Sequence, residues 1–205
     1  MSQERKIASD IAFTPGVKAI QSRKGSRDAY ARMESLGGWA TTISGDLAEF
    51  IGQQTSVFLA TANRDGQPYI QHRGGPPGFL VVLDEQTIAF ADFNGNRQYI
   101  TSGNLVENPR AHLFLIDYAT QQRFKLWGTA RVVEDDRALT DRLMPQNYRA
   151  RSEQAIVFTV EVWDANCSQH IPQRLEAGDV SRALQSRDAK IAELEAEIKR
   201  LSSNR

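Results

Sequence analysis

The sequence predicts a mostly β domain, an antiparallel barrel closed or half-closed on itself, with flanking helices and a separate helix at the C-terminal end. Three observations predict it. Short apolar runs separated by compact turn signals recur from residue 55 to about 163. Helical patterns inside that region are few and short. The tail, "DVSRALQSRDAKIAELEAEIKRLSS", has no Gly or Pro and repeats its apolar residues every seven.

Residues 1–54 read as an N-terminal helical segment. In "TPGVKAIQSRKGSRDAYARMES", Pro15 suits a helix start and Gly25 a break. "SGDLAEFIGQQ" reads as a short helix capped by Ser44 or Asp46, with Leu47, Phe50 and Ile51 on one face.

Residues 55–175 hold the strands. "SVFLATA" runs through the turn "NRDG" into "QPYIQHR". "GGPPG" must be loop, because its prolines cannot pair in a central strand. "FLVVLD", "TIAFAD", "AHLFLIDY" and the long "RFKLWGTARVVE" follow. "DDRALTDRLM" has an acidic start and reads as a helix, and "AIVFTVEVW" closes the set.

Residues 179–205 form an amphipathic, coiled-coil-like helix. Leu184, Ile191 and Ile198 take heptad position a, and Val180, Arg187, Leu194 and Leu201 take d. Lys190 at g and Glu195 at e attract across a parallel pair, whereas Arg187 weakens the seam. A parallel helix pair and a single amphipathic helix packed on the body are both compatible with this pattern.

Composition excludes several function classes. Lys+Arg and Asp+Glu are both 25, so no electrostatic footprint for nucleic acid exists, and any anion site must be local. The single cysteine, Cys167, cannot form an intrachain disulfide, which suits a reducing cytoplasm. The charged start "MSQERKIASD" is not a secretory signal. No apolar run approaches the roughly 20 residues of a membrane helix. The sequence therefore predicts a cytoplasmic protein with no membrane partner. Neither a nucleotide-triphosphatase lysine loop, a dinucleotide glycine fingerprint nor a serine-hydrolase elbow occurs.

Four clusters could carry chemistry. In "FADFNGNRQYITSGNLVENPRA", Asn94 and Gly95 permit a left-handed backbone that aims N–H groups at one point. Arg97 adds a charged fork, and the segment behind it, with Tyr99, Ile100 and Leu105, buries one face before Pro109. That is either an anion site or a well-made helix cap. In "DGQPYIQHRGGPPGF", alternation puts Tyr69, Gln71 and Arg73 on one face and Ile70 and His72 on the other. The polar face meets either a ligand or solvent. In "TQQRFKLWGTARV", Arg123, Lys125 and Trp127 share a face, facing solvent or an anion, while Phe124 and Leu126 suit the core. In "VEVWDANCSQHIPQR", Trp163, Cys167, His170 and Arg174 fall close together. No second Cys–His pair exists, so no metal site is predicted. Cys167 is either a nucleophile activated by His170 or a buried lone thiol. His112, inside "AHLFLI", reads as a structural histidine.

"FLATANRDGQPYIQHRGG", "FADFNGNRQYITSGNLVENPRAHLFLIDY", "FKLWGTARVVE" and "NCSQHIPQR" resemble the pyridoxamine 5'-phosphate oxidase-related FMN-binding proteins over about residues 40–175. "HRGGPPGF" and "NCSQHIPQR" resemble a bacterial subgroup of that family. The resemblance implies a six-stranded antiparallel split β-barrel, and a homodimer with FMN at the subunit interface. It implies that the Asn94–Arg97 loop, with Asn96, grips the FMN phosphate. Arg97 and Gln98 match the family's Arg–Lys phosphate pair, so Gln98 removes one charge, and Arg73 in the matching strand compensates. Gln71 stands where the family has an Arg, and Asp92 at the strand end that approaches the flavin. Arg123 stands where the oxidase has a Gln that meets the ring. Trp163, His170 and Arg174 match the late segment that completes the site from the partner chain. His72 counts with this set. The oxidase's own substrate-binding tail has no counterpart here, so oxidation of pyridoxamine phosphate is not expected. The resemblance instead implies a flavin-dependent oxidoreductase acting on a small-molecule substrate or electron donor, with His170 or Cys167 as proton donor. A non-catalytic flavin-binding or sensing protein, a haem-binding split barrel using His72 or His170, and a deazaflavin enzyme fit the same residues.

Overall fold

Alternating apolar residues build seven strands: β1 (Ser56–Ala62), β2 (Pro68–Gly74), β3 (Val81–Asp84), β4 (Thr87–Phe93), β5 (Arg110–Asp117), β6 (Gln122–Val133) and β7 (Ser152–Asn166). Among the described residues six α-helices accompany them: α1 (Pro15–Lys24), α2 (Arg27–Ser35), α3 (Gly45–Gln53), α4 (Ile100–Glu107), α5 (Arg137–Leu143) and α6 (Ala177–Ser203). The computed structural model describes residues 7–166 and 168–203. They fall into two units, residues 7–116 with 123–166, and residues 117–122 with 168–203.

In the first unit the strands form one antiparallel sheet in the order β2-β1-β5-β6-β7-β4-β3. It is the split barrel, with seven strands rather than six. At one edge β3 pairs only with β4. Its turn is fixed by Asp84, whose Oδ1 accepts from Gln86 N at 2.8 Å. β1 and β5 bury every second residue, so Val57, Leu59, Leu113 and Leu115 enter the core. β4 is buried on both faces. Ile88 and Phe90 join the main core, and the small Ala89 and Ala91 let α5 approach through Leu143 on the other side.

The helices follow their local signals. Gly25 sits at φ 77 and ends α1, where a side chain would be strained. Ser44 caps α3 by accepting from Leu47 N at 3.2 Å. Leu47, Phe50 and Ile51 then bury one face of α3, each contributing ~2 kcal/mol of transfer free energy. Asp136 caps α5 through Leu139 N. The N-terminal segment lies on the outer face of β6. Trp39 stacks on Trp127, with ring centroids 5.0 Å apart and an interplanar angle of 15°, and Phe13 packs on Trp39.

In the second unit, the turn after β5 is clasped by the segment that precedes α6. Gln121 Nε2 donates to the Ile171 carbonyl, and Arg174 N donates to the Tyr118 carbonyl at 3.1 Å. The Arg174 guanidinium lies over the Tyr118 ring at 4.6 Å. No helix among the described residues is long and apolar enough to cross a membrane.

Candidate functional site

β2 presents Tyr69, Gln71 and Arg73 to a half-open cleft that β4 and the loop before α4 complete. Asp92, Asn96, Arg97, Gln98, Thr101 and Glu153 supply other walls. The cleft holds about 180 Å³. Arg73 carries the innermost positive charge. Its Nε stands 2.9 Å from Asp92 Oδ1, with the two side chains 20% and 14% exposed. The contact is Coulombic and lacks hydrogen-bond alignment, so the buried Nε–H is without a hydrogen-bond partner among the described residues. Arg73 also donates to Thr101 Oγ1 at 3.4 Å.

Asp92 is fixed from behind. Gln154, buried in β7, donates through Nε2 to Asp92 Oδ2 at 2.8 Å and to Ser102 Oγ at 3.1 Å. α4 is tied to the barrel by Asn104 Nδ2, which donates to Thr61 Oγ1 at 3.0 Å. Its first turn faces the cleft, and its N-cap, Tyr99, makes no side-chain bond to that turn. The first-turn N–H groups, which have no partner within a helix, and its positive end favour an anion there. Arg97 stands at the mouth, held loosely by Asn94 Oδ1 at 3.2 Å and Glu153 Oε1 at 3.4 Å. Each arginine thus faces a carboxylate while the cleft is open.

Two expectations need correction. The left-handed backbone in the loop lies at Arg97 (φ 59) and Tyr99 (φ 53), not at Asn94 or Gly95. Polar side chains that bond within the loop hold these strained positions; Asn96 Oδ1, for example, accepts from Gln98 N. Tyr99 and Ile100 do not lie on the buried face of α4. The helix starts at Ile100, so its inward stripe is Thr101, Asn104 and Leu105, while Tyr99 and Ile100 are exposed.

The fold brings Gln71, Arg73, Asp92, Asn96, Arg97 and Gln98 together, with Asn94 in an adjoining cleft through its bond to Arg97. His72 points from the opposite face of β2 and bonds Ser56 Oγ at 2.9 Å. Arg123 and Trp163 do not line the cleft. Trp163 instead donates from Nε1 to the Thr42 carbonyl at 2.7 Å. His170 and Arg174 belong to the second unit, where His170 is exposed at φ 64. Cys167 lies outside the described residues. Sequence reasoning missed Gln154, Glu153 and Thr101. The first two sit at the start of a strand far along the chain. No group of His, Cys, Asp and Glu able to hold a metal ion occurs among the described residues.

The sequence profile of the family described as pyridoxamine 5'-phosphate oxidase matches residues 43–167. That span is more than half of the chain and carries the whole cleft. The chain belongs to the pyridoxamine 5'-phosphate oxidase family. Several solved structures are similar to the chain. Group A Streptococcus HupZ is 15% identical, with a TM-score of 0.50, covering 64% of this chain and 99% of its own. An FMN-binding protein from Syntrophomonas wolfei is 13% identical, with a TM-score of 0.46, covering 73% of this chain and 97% of its own. HutZ, the haem storage protein from Vibrio cholerae, is 15% identical, with a TM-score of 0.41, covering 60% of this chain and 93% of its own. At 15% identity the likeness to HupZ concerns the fold alone. Comparison with curated proteins finds no sequence match.

Proposed function

We propose that the chain is a cytoplasmic FMN-binding oxidoreductase that works as a homodimer, with the flavin between two copies. The observation that carries this reading is the meeting of Arg73, Arg97 and the first turn of α4 in one cleft. The residues present fit a phosphate monoester. The Arg73 Nε–H is buried without a hydrogen-bond partner among the described residues. Arg97 swings from Glu153 to the phosphate, and Thr101 and Ser102 add hydroxyls. Gln71 and Tyr69, bonded to one another, line the path away from the phosphate.

The cleft's volume supports the dimer. About 180 Å³ suits a phosphate and the chain attached to it, whereas sites for whole cofactors run from ~300 to 1,000 Å³. A second wall is required. A second copy of the chain is proposed to supply it, with Trp163, Arg123, His170 and Arg174 as its contribution to the flavin.

Bound FMN supplies hydride and electron transfer between a reduced donor and a small acceptor. The protein's part is to hold the phosphate end, exclude water at the dimer contact and deliver a proton from His170 or Cys167. The test is the visible spectrum of freshly purified protein, followed by the mass of what heat releases. FMN that is bleached by a nicotinamide donor supports the reading. FMN that no donor reduces makes the protein a flavin-binding or sensing module. Colourless protein that takes up no added FMN overturns the reading, and titrations with haem and deazaflavin then decide between the remaining cofactors.

A further inference from the structure

Helix α6 carries six apolar residues on one seam, Val180, Leu184, Ile191, Leu194, Ile198 and Leu201, each between 40% and 63% exposed. No residue of the helix is buried. Its 27 residues span nearly four heptads and contain one glycine, Gly178, in the first turn. We propose that α6 pairs with α6 of a second copy of this chain in a parallel, two-stranded coiled coil, in register along its length.

The seam specifies the number of strands. In the C-terminal half, Ile191 and Ile198 occupy a, and Leu194 and Leu201 occupy d. Isoleucine at a with leucine at d selects two parallel strands over three or four. The charges specify direction. In a parallel pair Lys190 at g meets Glu195 at the partner's e position, and opposite signs face each other on both sides of the seam. Arg187, the one charged residue at d, is flanked by the partner's Asp188 at e, so its charge is answered in this register. Turning one helix round puts Asp188 opposite Glu195, two like charges, twice along one flank of the seam. Within a single helix Lys190 is engaged only locally, at 2.8 Å from Glu193 on the solvent side. Its transfer to Glu195 of the other helix costs little, because exposed pairs at this spacing are worth only ~0.5 kcal/mol. The inference stands on α6 alone and is independent of the cofactor reading.

The test uses the full chain with Cys167→Ser, so that one introduced cysteine is the only thiol. Leu194→Cys places it at d in the seam, and Ala189→Cys at the outer f position. Under mild oxidation, Leu194→Cys is expected to give at least ~10-fold more disulfide-linked dimer than Ala189→Cys, because parallel in-register strands face like positions. Adding Lys190→Glu lowers the linked fraction several-fold, and adding Glu195→Lys to that variant restores it. Equal, low linking at both positions overturns the pairing. Linking that appears only when Ile191→Cys and Leu194→Cys chains are mixed gives an antiparallel pair and overturns the parallel one. A linked fraction unmoved by Lys190→Glu overturns the charge register.

Discussion

Arg73 of β2 and Asp92 of β4 stand 2.9 Å apart across the gap where the sheet fails to close. β2 is one edge of the sheet, and β4 lies next to the other edge. The ion pair therefore bridges the split of the barrel and places a guanidinium at the base of the cleft. Its two halves have opposite meanings for an incoming phosphate: Arg73 attracts it and Asp92 repels it. Gln154 keeps Asp92 in place in spite of that repulsion.

That opposition gives the first prediction. Asp92→Asn leaves a half-buried arginine without its counter-charge and costs ~2 kcal/mol of stability, a fall of roughly 4–8 °C in Tm for a domain of this size. The same change removes a negative charge from the cleft, so FMN binds several-fold tighter. Arg73→Ala weakens FMN by about 100-fold, the loss of one charge-assisted contact pair. Thermal melts and flavin-fluorescence titrations read the two effects separately. An Asp92→Asn protein that binds FMN more weakly at full stability would refute the role given to Arg73.

Gln98 lines the cleft, and the sequence resemblance matches it to the lysine of a phosphate-binding pair. Gln98→Lys adds a charge at an exposed position, worth about 0.5–1 kcal/mol at low salt. The expected result is FMN binding roughly 3-fold tighter at low ionic strength, with the gain shrinking as salt rises past ~0.15 M. Dissociation constants at two salt concentrations check it. An unchanged constant at low salt would mean that Gln98 does not face the phosphate.

Much of this was legible in the sequence because strand periodicity carries so much information. Two-residue alternation separated Gln71 and Arg73 from His72, and the structure keeps that separation. The Asn/Gly-rich loop and Arg97 announced themselves by composition. Gln154 did not, since a glutamine at the start of an apolar strand looks like a solvent-facing end. Only the pairing of Asp92 with Gln154 across β4 and β7 reveals why it is buried. The aromatic stack of Phe13, Trp39 and Trp127 was equally silent. Residues far apart in sequence make it, and no local pattern brings them together.

His112 in β5 meets Trp127 edge-on, with ring centroids 4.9 Å apart. Burial, with the Lys125 ammonium nearby, pushes its pKa down from 6.5 to about 4. The unfolded chain therefore binds the extra proton first. Stability is unpenalised above pH ~6.5 and falls as the pH drops from there toward ~4, by up to ~3 kcal/mol. Lys125 is itself paired with Asp164 at 2.8 Å and lies over the Trp39 and Trp127 rings, so the positive charge beside His112 is fixed. His112→Phe keeps the aromatic contact and removes the titration. Denaturant melts at several pH values should show the wild type losing stability relative to the variant between pH 6.5 and 4. Parallel curves would place the loss on the carboxylates instead.

Two glycines test the backbone in opposite directions. Gly128 sits at the irregularity where β6 shifts register against β7, between the pairs Trp127–Val162 and Gly128–Val160. A Cβ there would collide with the Thr159 carbonyl oxygen and press on the Phe158 ring at 3.2 Å. Backbone cannot yield as a side chain can, so Gly128→Ala costs more than ~3 kcal/mol or prevents folding. Gly103 lies inside α4 with open space around it and ordinary helical backbone. Gly103→Ala removes freedom from the unfolded chain and stabilises by ~0.5–1 kcal/mol. It also stiffens the helix whose first turn faces the cleft, so FMN affinity should hold or rise with it. Urea melts of the two variants decide the matter: a tolerated Gly128→Ala would mean that β6 and β7 do not approach as closely as this register requires.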